Sequence, residues 1–83
     1  MEKDNLLVKA WKDGAEIFVM GFKAMNYDEE RIKSELKALA LSQMTMLIDE
    51  RPDKNKTIEE QMNKDQKAVF DYLKKVSETG VLN

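Results

Sequence analysis

Acidic and amide side chains follow one another through the stretch IDERPDKNKTIEE, residues 48 to 60, between two segments with helical periodicity. An EF-hand loop places oxygen ligands at positions 1, 3, 5, 7, 9 and 12 between two helices, because calcium prefers six to eight oxygen ligands. Counted from Asp49, positions 5, 7, 9 and 12 of this stretch are Asp53, Asn55, Thr57 and Glu60. The stretch is therefore a partial match to a calcium loop.

Three residues of the same stretch argue against calcium. Position 3 is Arg51, a cation where a ligand oxygen is needed, and position 6 is Lys54, where the sharp turn requires glycine. Pro52 lies between them and drives the preceding residue out of the helical region. We therefore expect a polar connector between two helices, with no metal site and no other cofactor.

The sequence contains few residues of the types that carry out catalysis. The chain contains no histidine and no cysteine, which excludes thiolate nucleophiles and histidine acid–base chemistry. The adjacent acidic pairs do not face each other on a helix, and all of them fall at predicted helix ends, where acids are expected or tolerated. These pairs are Glu29–Glu30, Asp49–Glu50 and Glu59–Glu60. We therefore expect a protein that is not an enzyme.

Charge and hydropathy argue against two further classes of partner. Fourteen basic and sixteen acidic residues leave a net charge of −2, so nucleic acid is an unlikely partner. The longest uncharged run, ALALSQMTMLI, has eleven residues, too few to span a bilayer. The polar start MEKDN differs from a secretory signal, so we expect a cytoplasmic protein that does not enter a membrane.

Periodicity predicts an all-α fold of 83 residues in one helical domain, 1–83. Three helices are expected, over about residues 4–25, 28–50 and 57–79, and no stretch alternates with the two-residue period of a strand. The short connections favour an antiparallel three-helix bundle or an open helical array, completed by homodimerisation.

Helix start and stop signals are clearest around the third predicted helix. Thr57 and Glu60 form a capping box, in which each side chain accepts from the backbone N–H of the other. At the other end, Gly80 is predicted to adopt the left-handed conformation of a Schellman stop. Val81 would then face Val76.

The first predicted helix has the most unusual surface. Its charges fall in one sector of about 100°, and most of the remaining circumference is apolar. One apolar stripe is large: Leu7, Trp11, Phe18, Phe22 and Met25. A second stripe is small: Ala10, Gly14, Gly21 and Ala24, with Ile17 between them. Gly14 and Gly21 share a face, which favours close approach of another backbone with this helix lying centrally; a break at Asp13–Gly14 is the competing interpretation.

Apolar residues exceed what three helices can cover. The first helix is apolar over roughly 260°, and Leu41, Met44 and Ile48 lie away from the main stripe of the second helix. By contrast, Met25, Met46 and Met62 are expected to fill the core. The predicted partner or dimer interface comprises Ala10, Gly14, Gly21, Leu41, Met44, Thr45 and Ile48.

These features predict a small protein–protein interaction module and homodimer that binds a protein through an apolar helical surface. Twelve lysines against two arginines fit an AT-rich coding source, which suggests a regulator or inhibitor from a bacterium or its phage. The alternative is a nucleic-acid-associated regulator whose dimer gathers the lysines of the third helix. Those residues are Lys64, Lys67, Lys74 and Lys75.

Overall fold

A computed structural model describes residues 6–82 of the chain. Its helices are α1 (Leu6–Ala24), α2 (Glu29–Asp49), α3 (Ile58–Gln61) and α4 (Lys64–Thr79). These 77 residues contain no strand, which confirms the all-α class. The predicted start of the first helix, near residue 4, lies outside the described residues.

The third predicted helix is divided into α3 and α4. The capping box of Thr57 and Glu60 opens α3 as predicted, with each backbone N–H 3.3 Å from the other residue's side-chain oxygen. A second box then forms, in which the Gln66 N–H donates to Asn63 Oδ1 at 2.8 Å and the Asn63 N–H donates to Gln66 Oε1 at 3.1 Å. Met62 between them is extended. The prediction of one continuous helix was therefore wrong, because Asn63 restarts the helix.

The core lies mainly between α2 and α4, which run antiparallel. Ala40, Leu73 and Val76 have no exposed surface, and the small Ala40 lets α4 approach α2 closely. The buried residues of the core are Ala15, Ile32, Leu36, Ala40, Leu73, Val76 and Leu82.

The end of α4 lies against α2 at Gly80, which terminates α4. Gly80 is left-handed, with φ 72°, and its N–H donates to the Val76 carbonyl at 2.7 Å. A Cβ at this position would stand 2.8 Å from both the Cβ and the carbonyl oxygen of Lys33. The left-handed stop is as predicted, but Val81 is 41% exposed and Leu82 is the residue buried in the core. The single bond to Val76 is that of the simpler αL motif, so the predicted Schellman arrangement was wrong here.

A Schellman motif instead ends α1. Asn26 is left-handed, with φ 64°, and the Tyr27 N–H donates to the Phe22 carbonyl at 3.0 Å. The rings of Phe22 and Tyr27 stack 5.3 Å apart, supplying the hydrophobic pair of the motif. Asp28 then caps α2 by accepting from the Arg31 N–H at 2.8 Å. The chain therefore reverses within a few residues and sets α1 antiparallel to α2.

Helix α1 is a peripheral element, attached by one edge. Trp11 meets Tyr72 edge-on at 5.9 Å, and Ala15 is the buried residue of α1. Most helix contacts are between α2 and α4, so the predicted central position of α1 was wrong. The described chain is also flat, with extents of 43 × 33 × 17 Å and a radius of gyration of 13.9 Å. A compact domain of this length has a radius of gyration of about 12 Å, so the helices form an open array.

Tyr72 ties three parts of the fold together. Its hydroxyl donates to the Leu82 carbonyl at 2.6 Å, which fixes the segment after α4. Its ring contacts Trp11 of α1. Burial raises the pKa of the Tyr72 phenol above its ordinary value, and the carboxylate of Glu16 adds to the effect.

Gly80→Ala should destabilise the protein by about 2–4 kcal/mol, measured by urea unfolding. The substitution combines a left-handed alanine with a clash against the backbone of Lys33. Asn26→Ala is the matched control, because it adds the left-handed penalty of about 1 kcal/mol at a position that already carries a Cβ. Equal losses in the two variants would contradict the close contact at Lys33.

Tyr72→Phe should cost about 1 kcal/mol near neutral pH, because the Leu82 carbonyl loses its donor. A phenol with a raised pKa in the folded state contributes stability that is complete below its unfolded value and is lost as the pH rises through the folded value. The stability difference between the wild type and Tyr72→Phe should therefore stay constant up to about pH 10 and shrink above it. Urea unfolding across this range tests both statements. Tyr27→Phe serves as the control and should retain the alkaline loss.

Candidate interaction surface

The exposed side of α1 carries apolar residues at alternating spacings of three and four. This is the spacing of the a and d positions in a heptad, which places all members on one narrow seam. We call this set the α1 stripe: Leu7, Ala10, Gly14, Ile17, Gly21 and Ala24.

The α1 stripe faces outward. Ile17 is 68% exposed, and Phe18 beside it is 55% exposed. In the described part of the chain, a Cβ added at Gly14 or Gly21 would meet nothing within 4 Å. The two glycines therefore do not serve a close approach inside the chain, and any approach that uses them must come from outside.

A shallow groove continues this surface toward α2. Its volume is about 310 Å³, and Ala10, Gly14 and Phe18 form part of its α1 wall. The α2 wall consists of Leu39, Ser42 and Gln43. The α1 stripe, Phe18 and this groove together make one continuous surface, which we call the α1 face.

The α2 residues of the predicted interface lie elsewhere. Leu39, Ser42 and Gln43 face α1, and at 100° per residue the set Leu41, Met44 and Ile48 projects to the opposite side of α2, about 180° away. The structure therefore brings Ala10, Gly14 and Gly21 together on α1 but separates them from the α2 set.

The members of the α2 set also differ in availability. Leu41 is 54% exposed, whereas Met44 is half-buried against the core. The Thr45 hydroxyl donates to the Leu41 carbonyl at 2.9 Å, so it is used within its own helix. Ile48 lines a shallow depression with the connector that follows α2. The α2 set thus offers fewer exposed residues than the α1 face.

The exposed fractions of Ile17, Phe18 and two methionines are larger than the sequence predicted. Met25 and Met46 are each at least half exposed, so the expectation that they fill the core was wrong; Met62 is half-buried. The three–four spacing of apolar residues through Ile17 was the feature of the sequence that could have indicated an exposed apolar side. It could not show which edge of α1 the fold would cover.

A second groove lies at the end of the helices, with a volume of about 490 Å³. Trp11, Leu47 and Met62 contribute apolar walls, and Gln43, Glu50, Gln61 and Gln66 contribute polar groups. Arg51 also lines it. Within the described residues, Arg51 Nε is buried with no hydrogen-bond partner.

The connector between α2 and α3 is held by its own side chains. Arg51 donates to the carbonyls of Ile48 at 2.6 Å and Lys54 at 3.2 Å, occupying the inside of the stretch that resembled a calcium loop. The Gln61 amide bonds both the N–H and the carbonyl of Asp53, at 2.8 and 2.7 Å. Among residues 6–82, no three histidine, cysteine or acidic side chains are grouped so that they could hold a metal ion.

The lysines of α4 form a mixed surface. Lys64, Lys67, Lys74 and Lys75 are exposed. Asp71 and Glu78 project into the same sector of about 100°. The sector therefore alternates in sign and does not form a basic stripe for a phosphate backbone.

Comparisons with known proteins add no relative. No protein-family model, curated protein or solved structure matches the chain. Within residues 6–82, no helix combines the length and apolar character needed to cross a bilayer. The functional proposal therefore rests on the surfaces described above.

Millimolar calcium should leave the melting temperature unchanged. Asp53 Oδ1 already accepts from the Asn55 N–H, and Glu60 Oε1 accepts from Thr57, so these carboxylates are committed to the local fold. A site occupied at a thousand times its Kd would add about 4 kcal/mol of stability. Thermal melts with calcium, magnesium and a chelator give the comparison, and a rise specific to calcium would contradict the structural interpretation of this stretch.

Proposed function

We propose that this chain is a small non-enzymatic interaction module that binds a protein partner through the α1 face. The exposure of Ile17 and Phe18 in the middle of α1 carries the proposal. Contiguous apolar surface on a small protein marks an interaction site more often than scattered apolar residues do. The α1 stripe extends this surface along about 26 Å of helix.

The geometry suits a helical partner. Recognition of an amphipathic helix uses anchors at positions i, i+3, i+4 and i+7, and the α1 stripe has this spacing. The salt bridge between Lys9 and Asp13, at 2.9 Å, lies on the polar side of α1, where it leaves the stripe uncharged. A matching partner would present an apolar helical face without charges.

The biological setting is proposed from composition. Lysine in place of arginine and the absence of histidine and cysteine support a non-enzymatic regulator or inhibitor in the cytoplasm of a bacterium, encoded by the bacterium or its phage. Self-association of the module as a homodimer belongs to the same proposal. The nucleic-acid alternative is weaker, because Asp71 and Glu78 interrupt the lysines of α4.

The test compares two equally exposed positions on α1. Ile17→Gln removes an anchor from the α1 stripe, whereas Met20→Gln changes a residue inside the charged sector; their exposed fractions are 68% and 66%. The tagged wild type should capture a defined protein from its source, and purified protein should reproduce the binding. Ile17→Gln should weaken that binding roughly tenfold or more, and Met20→Gln about twofold or less.

Two results would overturn the proposal. One is a captured partner whose affinity is the same for Ile17→Gln and the wild type. The other is tight binding to mixed-sequence DNA that weakens steeply with salt, which would favour the nucleic-acid alternative. Circular dichroism of both variants controls for folding.

A further inference from the structure

We propose that the α1 face binds a second copy of this chain, with the two α1 helices antiparallel across a two-fold axis that passes between Gly14 and Ile17. The inference rests on the proposed function, since it takes the α1 face to be the binding surface. It adds the identity of the partner, the direction of the helices and their register.

The register follows from the spacing of the α1 stripe. The intervals are three, four, three, four and three residues, and this series reads the same in both directions. A reversed copy of α1 therefore places stripe residues opposite stripe residues along the whole helix. Leu7 meets Ala24 of the second copy, Ala10 meets its Gly21, and Gly14 meets its Ile17.

Side-chain size favours this arrangement over a parallel one. In the antiparallel register, each large residue of the stripe faces a small one: Leu7 faces alanine, and Ile17 faces glycine. A parallel register would set Ile17 against Ile17 and Gly14 against Gly14. The two isoleucines would hold the helices apart, and a gap would remain between the two glycines one helical turn away. Closed dimers are isologous, so a self-complementary surface suits a two-fold axis.

The two glycines of the α1 stripe favour a partner helix that packs closely against α1. Gly14 and Gly21 each cost roughly 1 kcal/mol of helix stability relative to alanine. Within residues 6–82, nothing occupies the space that an alanine Cβ would take at either position. A second helix whose Ile17 inserts over Gly14 would fill that space, and in the same register its Ala10 would lie against Gly21.

The total exposed area of the chain exceeds that of a compact monomer. The chain exposes 6224 Å². A compact monomer of its mass exposes about 5,100 Å², so the excess is about 1,100 Å². A standard interface buries about 800 Å² per partner. The excess is therefore of the size that a dimer interface removes, and a dimer would bring the flat 17 Å array closer to the compactness of an ordinary domain.

Cysteine cross-linking tests the register in the full chain, which has no cysteine of its own. Leu7→Cys and Ala24→Cys should form a disulfide with each other when the two variants are mixed and oxidised. Each variant alone should not cross-link, because in the antiparallel pair its two cysteines stand roughly 26 Å apart along the axis, far beyond disulfide reach. A parallel pair would give the reverse result and would overturn the proposal.

Sedimentation of the unlabelled protein supplies the second measurement. The wild type should be a dimer at hundreds of micromolar. Ile17→Gln should raise the dimer Kd roughly tenfold or more, because symmetry removes the residue twice, and Met20→Gln should change it about twofold or less. Gly14→Leu should also give a monomer, one that stays folded because the space around Gly14 is open in the chain.

The outcomes separate this inference from the proposed function. A monomer at hundreds of micromolar without the mixed cross-link would overturn the dimer. The part of the proposed function that assigns another protein to the α1 face would still stand if capture of that protein depended on Ile17. Conversely, a dimer disrupted by Ile17→Gln, with another protein captured equally by both variants, would support the dimer and remove the α1 face as the site for that protein.

Discussion

The fold depends on the close approach of α4 to α2. Gly80 brings the end of α4 against the backbone of Lys33, where no Cβ fits, and Ala40 has no exposed surface. This contact fixes the antiparallel order of the two helices and encloses Leu73 and Val76. Tyr72 then joins the remaining parts, since its ring contacts α1 and its hydroxyl holds the segment after α4. Without the α2–α4 contact, α1 would have no surface to attach to.

The same contact explains why α1 is only partly covered. Because α2 and α4 use their apolar faces mainly on each other, α1 attaches through one edge, at Trp11, Ala15 and Phe22. Its other apolar edge contains Ile17 and Phe18, and burying each side chain fully would be worth about 1.5–3 kcal/mol. The monomer gains little of this free energy. The most favourable use of α1 therefore requires an additional surface, which a partner could supply.

Much of the secondary structure could be predicted from the sequence because caps act locally. The box at Thr57 and Glu60 and the left-handed Gly80 were readable from a few neighbouring residues. Asn63 and Gln66 form the same kind of box, but the apolar period of the segment continued across them and suggested one helix. Apolar periodicity tolerates a break of one extended residue, so only the cap itself carried the information.

The arrangement of the helices and the candidate site were harder to predict, because both depend on contacts between distant residues. A helix that is apolar over most of its circumference can lie at the centre of a bundle or at its edge with a face left open. The sequence of α1 is compatible with both. The position of α1 depends on α2 and α4, because these two helices pack mainly on each other and meet at Gly80, which leaves α1 at the edge. For the same reason Ala10 and Gly14 share a surface, whereas Leu41 and Ile48 lie on the far side of α2.

The surroundings of Gly80 differ from those of Gly14 and Gly21. At Gly80 the backbone of Lys33 occupies the space of a Cβ, so glycine is required by the monomer. At Gly14 and Gly21 the space is empty, and alanine would give a more stable isolated helix by roughly 1 kcal/mol at each position. Within residues 6–82, the folded monomer offers no compensating contact at these two positions. The proposed antiparallel dimer would supply one, because the reversible spacing of the α1 stripe places a second copy of the same helix against both glycines.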